Sequence, residues 1–172
     1  MCSSKSQLAQ YWFRWGTSKV YRFDFTLAKW KCLSKTDAGS RFLFFSSVTA
    51  VPDPPGFFFI LGGSSETGER SDQVVRFLPR GESRPAHRFE RCPSLLHRRG
   101  FFTSCYSVSR KWMMVCGGND GEKDLSECEV LHSPSCPQPG AWRPLPPMLH
   151  ARNGSACLFN EANDSLLVAG GA

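Results

Sequence analysis

The sequence predicts an all-β protein built from repeats of four short strands. Three apolar segments each end in two glycines, and they read FFFILGG, WMMVCGG and SLLVAGG. Their first glycines, Gly62, Gly117 and Gly170, follow one another at intervals of 55 and 53 residues. Self-similarity at a period near 50 residues is typical of repeat architectures, in which each unit buries its apolar faces against its neighbours.

Other residues recur at fixed distances from these glycines. Val75 and Val130 each stand 13 residues after the first glycine of their unit, within short β-prone stretches. An aromatic residue recurs about 25 residues after the glycines, as Trp142 and Phe89, and Trp30 fits the same slot. These matched offsets extend the repeat well beyond the glycines.

The third unit shows why each repeat is predicted to be made of strands. Residues 154–159 form a small and apolar segment, residues 161–164 are a cluster of turn formers, and residues 166–169 are a short apolar run. Such a run is too short for a helix and fits a strand buried on both faces. Glycines at the end of each apolar run let the chain leave a crowded strand and let neighbouring backbone approach closely. The structural repeat residues therefore include the diglycines, namely Gly62, Gly63, Gly117, Gly118, Gly170 and Gly171.

This pattern resembles the kelch repeat, whose units are the four-stranded antiparallel blades of a β-propeller. The resemblance rests on the three diglycines, the stretches around Val75 and Val130, Trp142 with its equivalents, and the segment LPPMLHAR at 145–152. It covers residues 19–172, which are predicted to form a partial kelch-type β-propeller. Residues 1–18 are assigned to a poorly defined N-terminal segment.

The chain is short for a complete propeller. Its 172 residues hold about three to three and a half blades, whereas propellers close with about four to eight. Two interpretations are open: the chain is a fragment of a larger propeller, or two chains complete one ring. Blade edges without a neighbouring strand also predict self-association.

Composition excludes several other classes of function. The eight cysteines contain no Cys-x-x-Cys and no zinc-type Cys/His spacing, and the four histidines are scattered, so no metal, cofactor or catalytic residue is predicted. The net charge is +6, and basic residues are concentrated in residues 76–99. Because no nucleic-acid module accompanies them, we interpret this region as a solvated loop between outer strands, with residues 80–85 as its clearest part. No apolar stretch approaches the roughly 20 residues of a membrane span, and no secretory signal is evident, so the predicted location is cytoplasmic.

The resemblance implies a protein-interaction scaffold that is not an enzyme and that binds a protein or acidic peptide at the propeller face. Kelch relatives of this kind serve as substrate receptors or as cytoskeleton-associated proteins. The alternative is a fragment of a kelch-type enzyme that acts on a small molecule or sugar. Kelch-type copper oxidases need tyrosine, histidine and cysteine ligands around the mouth of the ring, and the sequence does not group such residues.

Three arginines are the candidate partner-binding residues. Arg99 and Arg152 stand 18 residues before Gly117 and Gly170, and Arg41 stands 21 residues before Gly62. Equivalent positions of a propeller share a face, and guanidinium groups suit bidentate recognition of carboxylates. Alternatively, each arginine donates hydrogen bonds to loop carbonyls of the adjacent blade.

Overall fold

The structure is a computed structural model that describes residues 11–13, 19–24, 26–35, 43–53, 56–79, 86–135 and 140–172. The regular secondary structure of these residues is β-strand, as predicted. No helix among them is long and apolar enough to cross a membrane. The chain divides into two compact units, residues 1–42 and residues 43–172. The boundary predicted after residue 18 lies next to residues 14–18, which are outside the described part of the chain.

The N-terminal unit contains a three-stranded antiparallel sheet with its strands in chain order. The strands are β1 (Tyr11–Phe13), β2 (Lys19–Asp24) and β3 (Lys29–Lys35). Asp24 ends β2, and its carboxylate accepts backbone hydrogen bonds from Thr26 and Leu27, which closes the turn into β3. Trp30 on β3 lies opposite Phe23, and their rings meet edge to face with centroids 5.2 Å apart.

The C-terminal unit contains two four-stranded antiparallel sheets and one two-stranded sheet, each with its strands in chain order. The first sheet consists of β4 (Ser47–Val51), β5 (Phe57–Leu61), β6 (Val74–Leu78) and β7 (Arg88–Cys92). The second sheet consists of β8 (Thr103–Ser107), β9 (Trp112–Cys116), β10 (Cys128–His132) and β11 (Arg143–Leu145). The third sheet consists of β12 (Ala156–Asn160) and β13 (Ser165–Ala169).

The strands that end in diglycines are the second strands of their sheets. β5 and β9 are almost entirely buried, and each is paired on both sides. A continuous apolar run fits these strands because both of their faces are covered. β13 pairs with β12 and alternates between exposed and partly buried residues. The prediction that these strands lie near the centre therefore holds for β5 and β9, whereas β13 is an edge strand of the described chain.

Strand pairing corrects one predicted equivalence between the repeats. Val75 lies opposite Ile60, two residues before the first diglycine, and Glu129 lies opposite Val115 in the same place. The structural equivalent of Val75 is therefore Glu129 and not Val130. The loop after the first diglycine is one residue longer, and a shift of one residue turns a strand side chain to the opposite face.

Consecutive sheets of the C-terminal unit pack with their first strands, β4, β8 and β12, side by side. Between β4 and β8, the Ser104 hydroxyl hydrogen-bonds those of Ser47 and Thr49, with O–O distances of 2.5 Å. The core between the first two sheets includes Phe59, Leu61, Val74, Met113, Val115, Leu131 and Trp142. A second core, built from Cys105, Met114, Val130 and Phe159, lies between the second sheet and the third.

Trp142 and Phe89 occupy corresponding places at the last strands of their sheets. Phe89 on β7 lies opposite Phe77, with ring centroids 4.9 Å apart. Trp142 immediately precedes β11, is only 3% exposed, and donates its indole N–H to the carbonyl oxygen of Pro93 at 3.0 Å. Trp142 therefore ties the second sheet to the loop that leaves the first.

We expect Gly117→Ala to destabilise the protein by more than about 2 kcal/mol and Gly170→Ala by about 1 kcal/mol. Both glycines have positive φ, 65° and 72°, so both alanines carry the cost of a left-handed backbone. Only at Gly117 would the new Cβ also overlap the carbonyl oxygen of Arg152, whereas nothing lies within 4 Å at Gly170. Urea denaturation of the two variants measures the difference, and equal losses would show that the close approach at Gly117 is not a constraint.

Candidate functional site

One end of the C-terminal unit, which we call the diglycine face, carries the diglycine turns and the segments that enter the first strands. In each repeat, the residue after the diglycine is bridged through its backbone to the entering segment. The bridged pairs are Phe44 with Ser64, Gly100 with Asn119, and Asn153 with Ala172. These bridges show directly which residues of different repeats are structurally equivalent. Counting residues along the sequence does so less accurately, because the loops of the repeats differ in length.

Two phenylalanines stand at equivalent positions on the diglycine face. Phe45 and Phe101 directly follow bridged residues, and both have a left-handed backbone, with φ of 56° and 57°. Their rings stack with centroids 3.9 Å apart, and the N–H of Phe101 donates to the carbonyl of Phe45 at 3.2 Å. Phe45 is nevertheless 51% exposed. Bulky side chains rarely adopt this backbone conformation, and such strain concentrates at functional sites.

The guanidinium of Arg70 lies against this aromatic pair. Its central carbon is 5.2 Å from the ring centroid of Phe101. Arg70 donates to the backbone carbonyl and the side-chain oxygen of Asn119, at 3.2 Å and 3.1 Å, and to the hydroxyl of Ser64. Since Arg70 lies in the loop after the first diglycine, these bonds fix that loop against the one after the second.

A cavity of about 410 Å³ opens beside the two stacked rings, and we call it the Phe45 pocket. Its walls include Phe45, Phe101, Ser64, Ser65, Glu66 and Arg70. Pockets for small molecules usually have about 300 to 1,000 Å³ and combine apolar or aromatic walls with a few polar groups. The Phe45 pocket meets both descriptions.

Arg99 is fully buried and joins three segments of the second sheet. Its guanidinium donates to the carbonyls of Gly117 and Glu127, at 2.7 Å and 3.0 Å, and to the carboxylate of Glu129 at 2.6 Å. The Glu129 carboxylate also accepts two backbone N–H groups from the loop before Arg99. A guanidinium enclosed in this way does not reach a partner, so Arg99 does not fit the predicted partner-binding role. It bonds loop carbonyls instead, and these belong to its own sheet rather than to the adjacent one.

The other two candidate arginines do not complete a ring of guanidinium groups. Arg152 is partly exposed and donates to the carbonyl of Gly170 at 3.1 Å, which repeats one of the bonds that Arg99 makes. Arg41 lies outside the described residues. The backbone bridges place Leu43, not Arg41, at the position equivalent to Arg99, because Leu43 directly precedes the bridged residue of its repeat.

Asp53 joins the first sheet to the second at the opposite end of the strands. Its carboxylate accepts hydrogen bonds from the Tyr106 hydroxyl at 2.6 Å, the Lys111 ammonium at 2.6 Å and the Ser135 hydroxyl at 2.7 Å. Burial acts to raise the pKa of Asp53, but these hydrogen bonds, led by that of Lys111, outweigh it and hold the pKa below its ordinary value. Burial and the hydrogen bond to Asp53 raise the pKa of Tyr106.

Sequence reasoning missed the residues of the Phe45 pocket. One signal is present in the sequence, because doubled phenylalanines at 44–45 and 101–102 precede the first strands of two successive repeats. Their stacking cannot be read from that signal, since it depends on the left-handed backbone of Phe45 and Phe101. The role of Arg70 likewise depends on how two separate loops meet.

Comparison with known proteins shows the fold. No protein-family model matches the chain, and no curated protein matches it. The chain is similar to the solved structure of YjhT, with a TM-score of 0.67 at 16% identity, over 90% of this chain and 45% of that one. It is also similar to a fungal alcohol oxidase of the AA5 family in complex with copper, with a TM-score of 0.65 at 16% identity, over 83% of this chain and 30% of that one. The chain thus spans less than half the length of either structure.

The fold is therefore all-β, with four-stranded antiparallel sheets that fit a kelch-like β-propeller. Closure of the ring and the number of its blades stay predictions. The alcohol oxidase contains copper, but the part of this chain that the structure describes has no group of three His, Cys, Asp or Glu side chains placed to hold a metal ion. Those residues do not fit a copper centre, and we derive no copper chemistry from them.

We expect Arg99→Ala to destabilise the protein by about 3–5 kcal/mol, because it leaves the carboxylate of Glu129 buried without its cation. The matched control is Arg152→Ala, at the equivalent but partly exposed position, which we expect to cost less than about 1 kcal/mol. Thermal and urea unfolding of both variants measure the two losses. A cost for Arg99→Ala no greater than that for Arg152→Ala would contradict the assigned role.

We expect Asp53→Asn to destabilise the protein by about 1–2 kcal/mol at neutral pH, since the Lys111 ammonium loses its carboxylate partner. Because the pKa of Asp53 is lowered in the folded state, its stabilisation is complete above the ordinary carboxyl pKa of 3.8 and is lost as the pH falls through the lowered value. Unfolding of wild type and variant between about pH 7 and pH 2 should show the difference shrinking with acid. A difference that does not depend on pH would rule out the carboxylate as its source.

Proposed function

We propose that the diglycine face binds a small, neutral ligand rich in hydroxyl groups, of the pyranose sugar type, in the Phe45 pocket. The observation that carries this proposal is the half-exposed aromatic pair beside a cavity of about 410 Å³. The alternative function predicted from the sequence is a fragment of a kelch-type enzyme that acts on a small molecule or sugar. We keep the sugar-type ligand of that alternative and propose only that it is bound. The prediction that the chain is not itself an enzyme stays a prediction.

The walls of the pocket supply the two kinds of contact that a sugar ring needs. The apolar face of a pyranose packs on an aromatic ring, and Phe45 offers one that is held in place by Phe101. Ser64, Ser65 and Glu66 line the cavity and carry oxygen atoms that can exchange hydrogen bonds with hydroxyl groups.

The bonds of Arg70 favour a neutral ligand over an anionic one. All three of its guanidinium nitrogens donate to protein oxygens, including those of Asn119, Ser64 and Gly68. Glu66, another residue of the wall, adds an acidic group. The fold of the similar alcohol oxidase, whose name states that it acts on alcohols, adds support for a ligand that carries hydroxyl groups.

Titration with methyl pyranosides, followed by saturation-transfer NMR, tests the proposal. We expect saturable binding that Phe45→Ala weakens by about tenfold, corresponding to about 1.4 kcal/mol, and that Phe45→Tyr retains. Glycerol, which has hydroxyl groups but no ring face, should not compete. The control variant is Leu149→Ser, a change at a 96% exposed side chain outside the pocket, and it should bind as wild type does.

Two results would overturn the proposal. One is the absence of saturable binding by any pyranoside to folded wild-type protein. The other is binding that Phe45→Ala leaves unchanged, which would place the sugar elsewhere on the chain.

The protein-interaction scaffold is the second candidate function. It is favoured by two exposed leucines three residues before Arg99 and Arg152, namely Leu96 and Leu149, which are 47% and 96% exposed. Apolar side chains exposed at the same place in successive repeats are suited to contact with a protein. Acidic peptides titrated onto the same set of variants distinguish the candidates, because a scaffold would lose binding in Leu149→Ser and keep it in Phe45→Ala.

A further inference from the structure

Four cysteines gather between the second and third sheets, and none of them lines the Phe45 pocket. They are Cys105 on β8, Cys116 on β9, Cys128 on β10 and Cys157 on β12. Cys116 and Cys128 lie directly opposite each other on neighbouring strands, and Cys157 of the third sheet packs against the apolar cluster that contains Cys105 of the second. The four cysteines therefore form one pair within the second sheet and one pair between the sheets.

The pair between the sheets is the one that a dissolved oxidant can reach. Cys116 is 0% exposed and Cys128 is 5% exposed, so both are enclosed in the second sheet. Cys157 is only partly buried, on a strand whose neighbouring residues are exposed. Cys105 lies behind it, in the apolar cluster that contains Met114 and Phe159.

We propose that Cys105 and Cys157 form a reversible disulfide that fastens the third sheet to the second, by exchange with a small disulfide such as oxidised glutathione. The two residues lie on β8 and β12, which are adjacent first strands. Cys157 packs against the apolar cluster that contains Cys105. The two strands are also tied on either side of these residues, because the N–H of Gly154 donates to the carbonyl of Phe101 and the N–H of Val108 donates to the carboxylate of Glu161, so little backbone movement is needed to join the two sulfur atoms.

The chemistry assigns different roles to the two thiols. Cys157 is only partly buried, whereas Cys105 is 8% exposed. The neighbouring Cys105 thiol lowers the pKa of Cys157, and the Cys157 thiol together with burial raises the pKa of Cys105. Cys157 is therefore the attacking thiolate. After giving its proton to water, it bonds to one sulfur of oxidised glutathione and releases a glutathione thiolate.

The mixed disulfide is then resolved within the protein. Cys105 gives its proton to the released glutathione thiolate, attacks the sulfur of Cys157, and expels the second glutathione, which takes a proton from water. In sum, the two protein thiols lose two protons and two electrons, and oxidised glutathione becomes two molecules of the reduced form.

The third sheet is the element that such a bond would stabilise most. Its exposed face includes Leu158 and Leu167, which are 62% and 60% exposed. Its polar ties to the second sheet include surface contacts from Ser109 to Glu161 and from Arg110 to Asp164, and one bond from the buried Ser107 hydroxyl to Glu161. Exposed contacts of this kind contribute little, so a covalent link between the sheets changes how often the hairpin opens.

Equilibration of the full chain with oxidised and reduced glutathione, followed by alkylation and peptide mass mapping, tests the proposal. We expect a linked peptide that joins Cys105 to Cys157, while Cys116 and Cys128 stay reduced. Hydrogen exchange of residues 156–169 should slow by about tenfold on oxidation and recover on reduction. Cys157→Ser should abolish the effect, and Cys92→Ser, outside the cluster, should preserve it.

The mapping on wild-type protein decides the matter even if Cys157→Ser does not fold. Alkylation of both Cys105 and Cys157 under oxidising conditions would overturn the proposal. So would a disulfide that maps to Cys116 and Cys128 alone, or a Cys105–Cys157 bond that leaves hydrogen exchange of the third sheet unchanged.

Discussion

The guanidinium of Arg99 and the carboxylate of Glu129 are the charged pair on which the second sheet depends. Both groups are out of water, and a buried pair of this kind depends on further hydrogen bonds to its remaining polar atoms. Carbonyls of Gly117 and Glu127 and two backbone N–H groups supply such bonds, while the buried Nε of Arg99 has no partner. The pair thereby fixes the segment that leads into Gly100 and Phe101, so the geometry of the Phe45 pocket follows from it.

The repeats share a backbone plan, but equivalent positions carry different side chains. Leu43 and Arg152 occupy the place of Arg99, and Gly154 occupies the place of Phe45 and Phe101. The N–H of Gly154 donates to the carbonyl of Phe101 at 2.7 Å, which repeats the backbone contact between the two phenylalanines without a ring. Among these three sheets, the aromatic pair therefore exists only between the first and the second. The repeated backbone arrangement thus carries the Phe45 pocket at a single place.

The turns at the opposite end join neighbouring sheets by several different polar contacts. Asp53 of the first sheet accepts from Lys111 of the second. Between the second and third sheets the charges are reversed, because Arg110 donates to Asp164. The acidic side chain can therefore belong to either of the two neighbouring sheets. The turns accordingly differ in sequence between the two contacts, while the sheets pack side by side in both cases.

The sequence by itself determined the architecture, because diglycines at a regular interval and apolar runs too short for helices leave few alternatives to repeated antiparallel strands. It also singled out Phe89 and Trp142, which lie 27 and 25 residues after the first glycines of their units, at the last strands of two sheets. Only the tertiary structure decided that Arg99 is enclosed and that Phe45 and Phe101 stack. Burial and the left-handed backbone arise from contacts between segments far apart in the chain. In addition, one extra loop residue shifts the equivalence that is obtained by counting along the sequence, as at Val75 and Glu129.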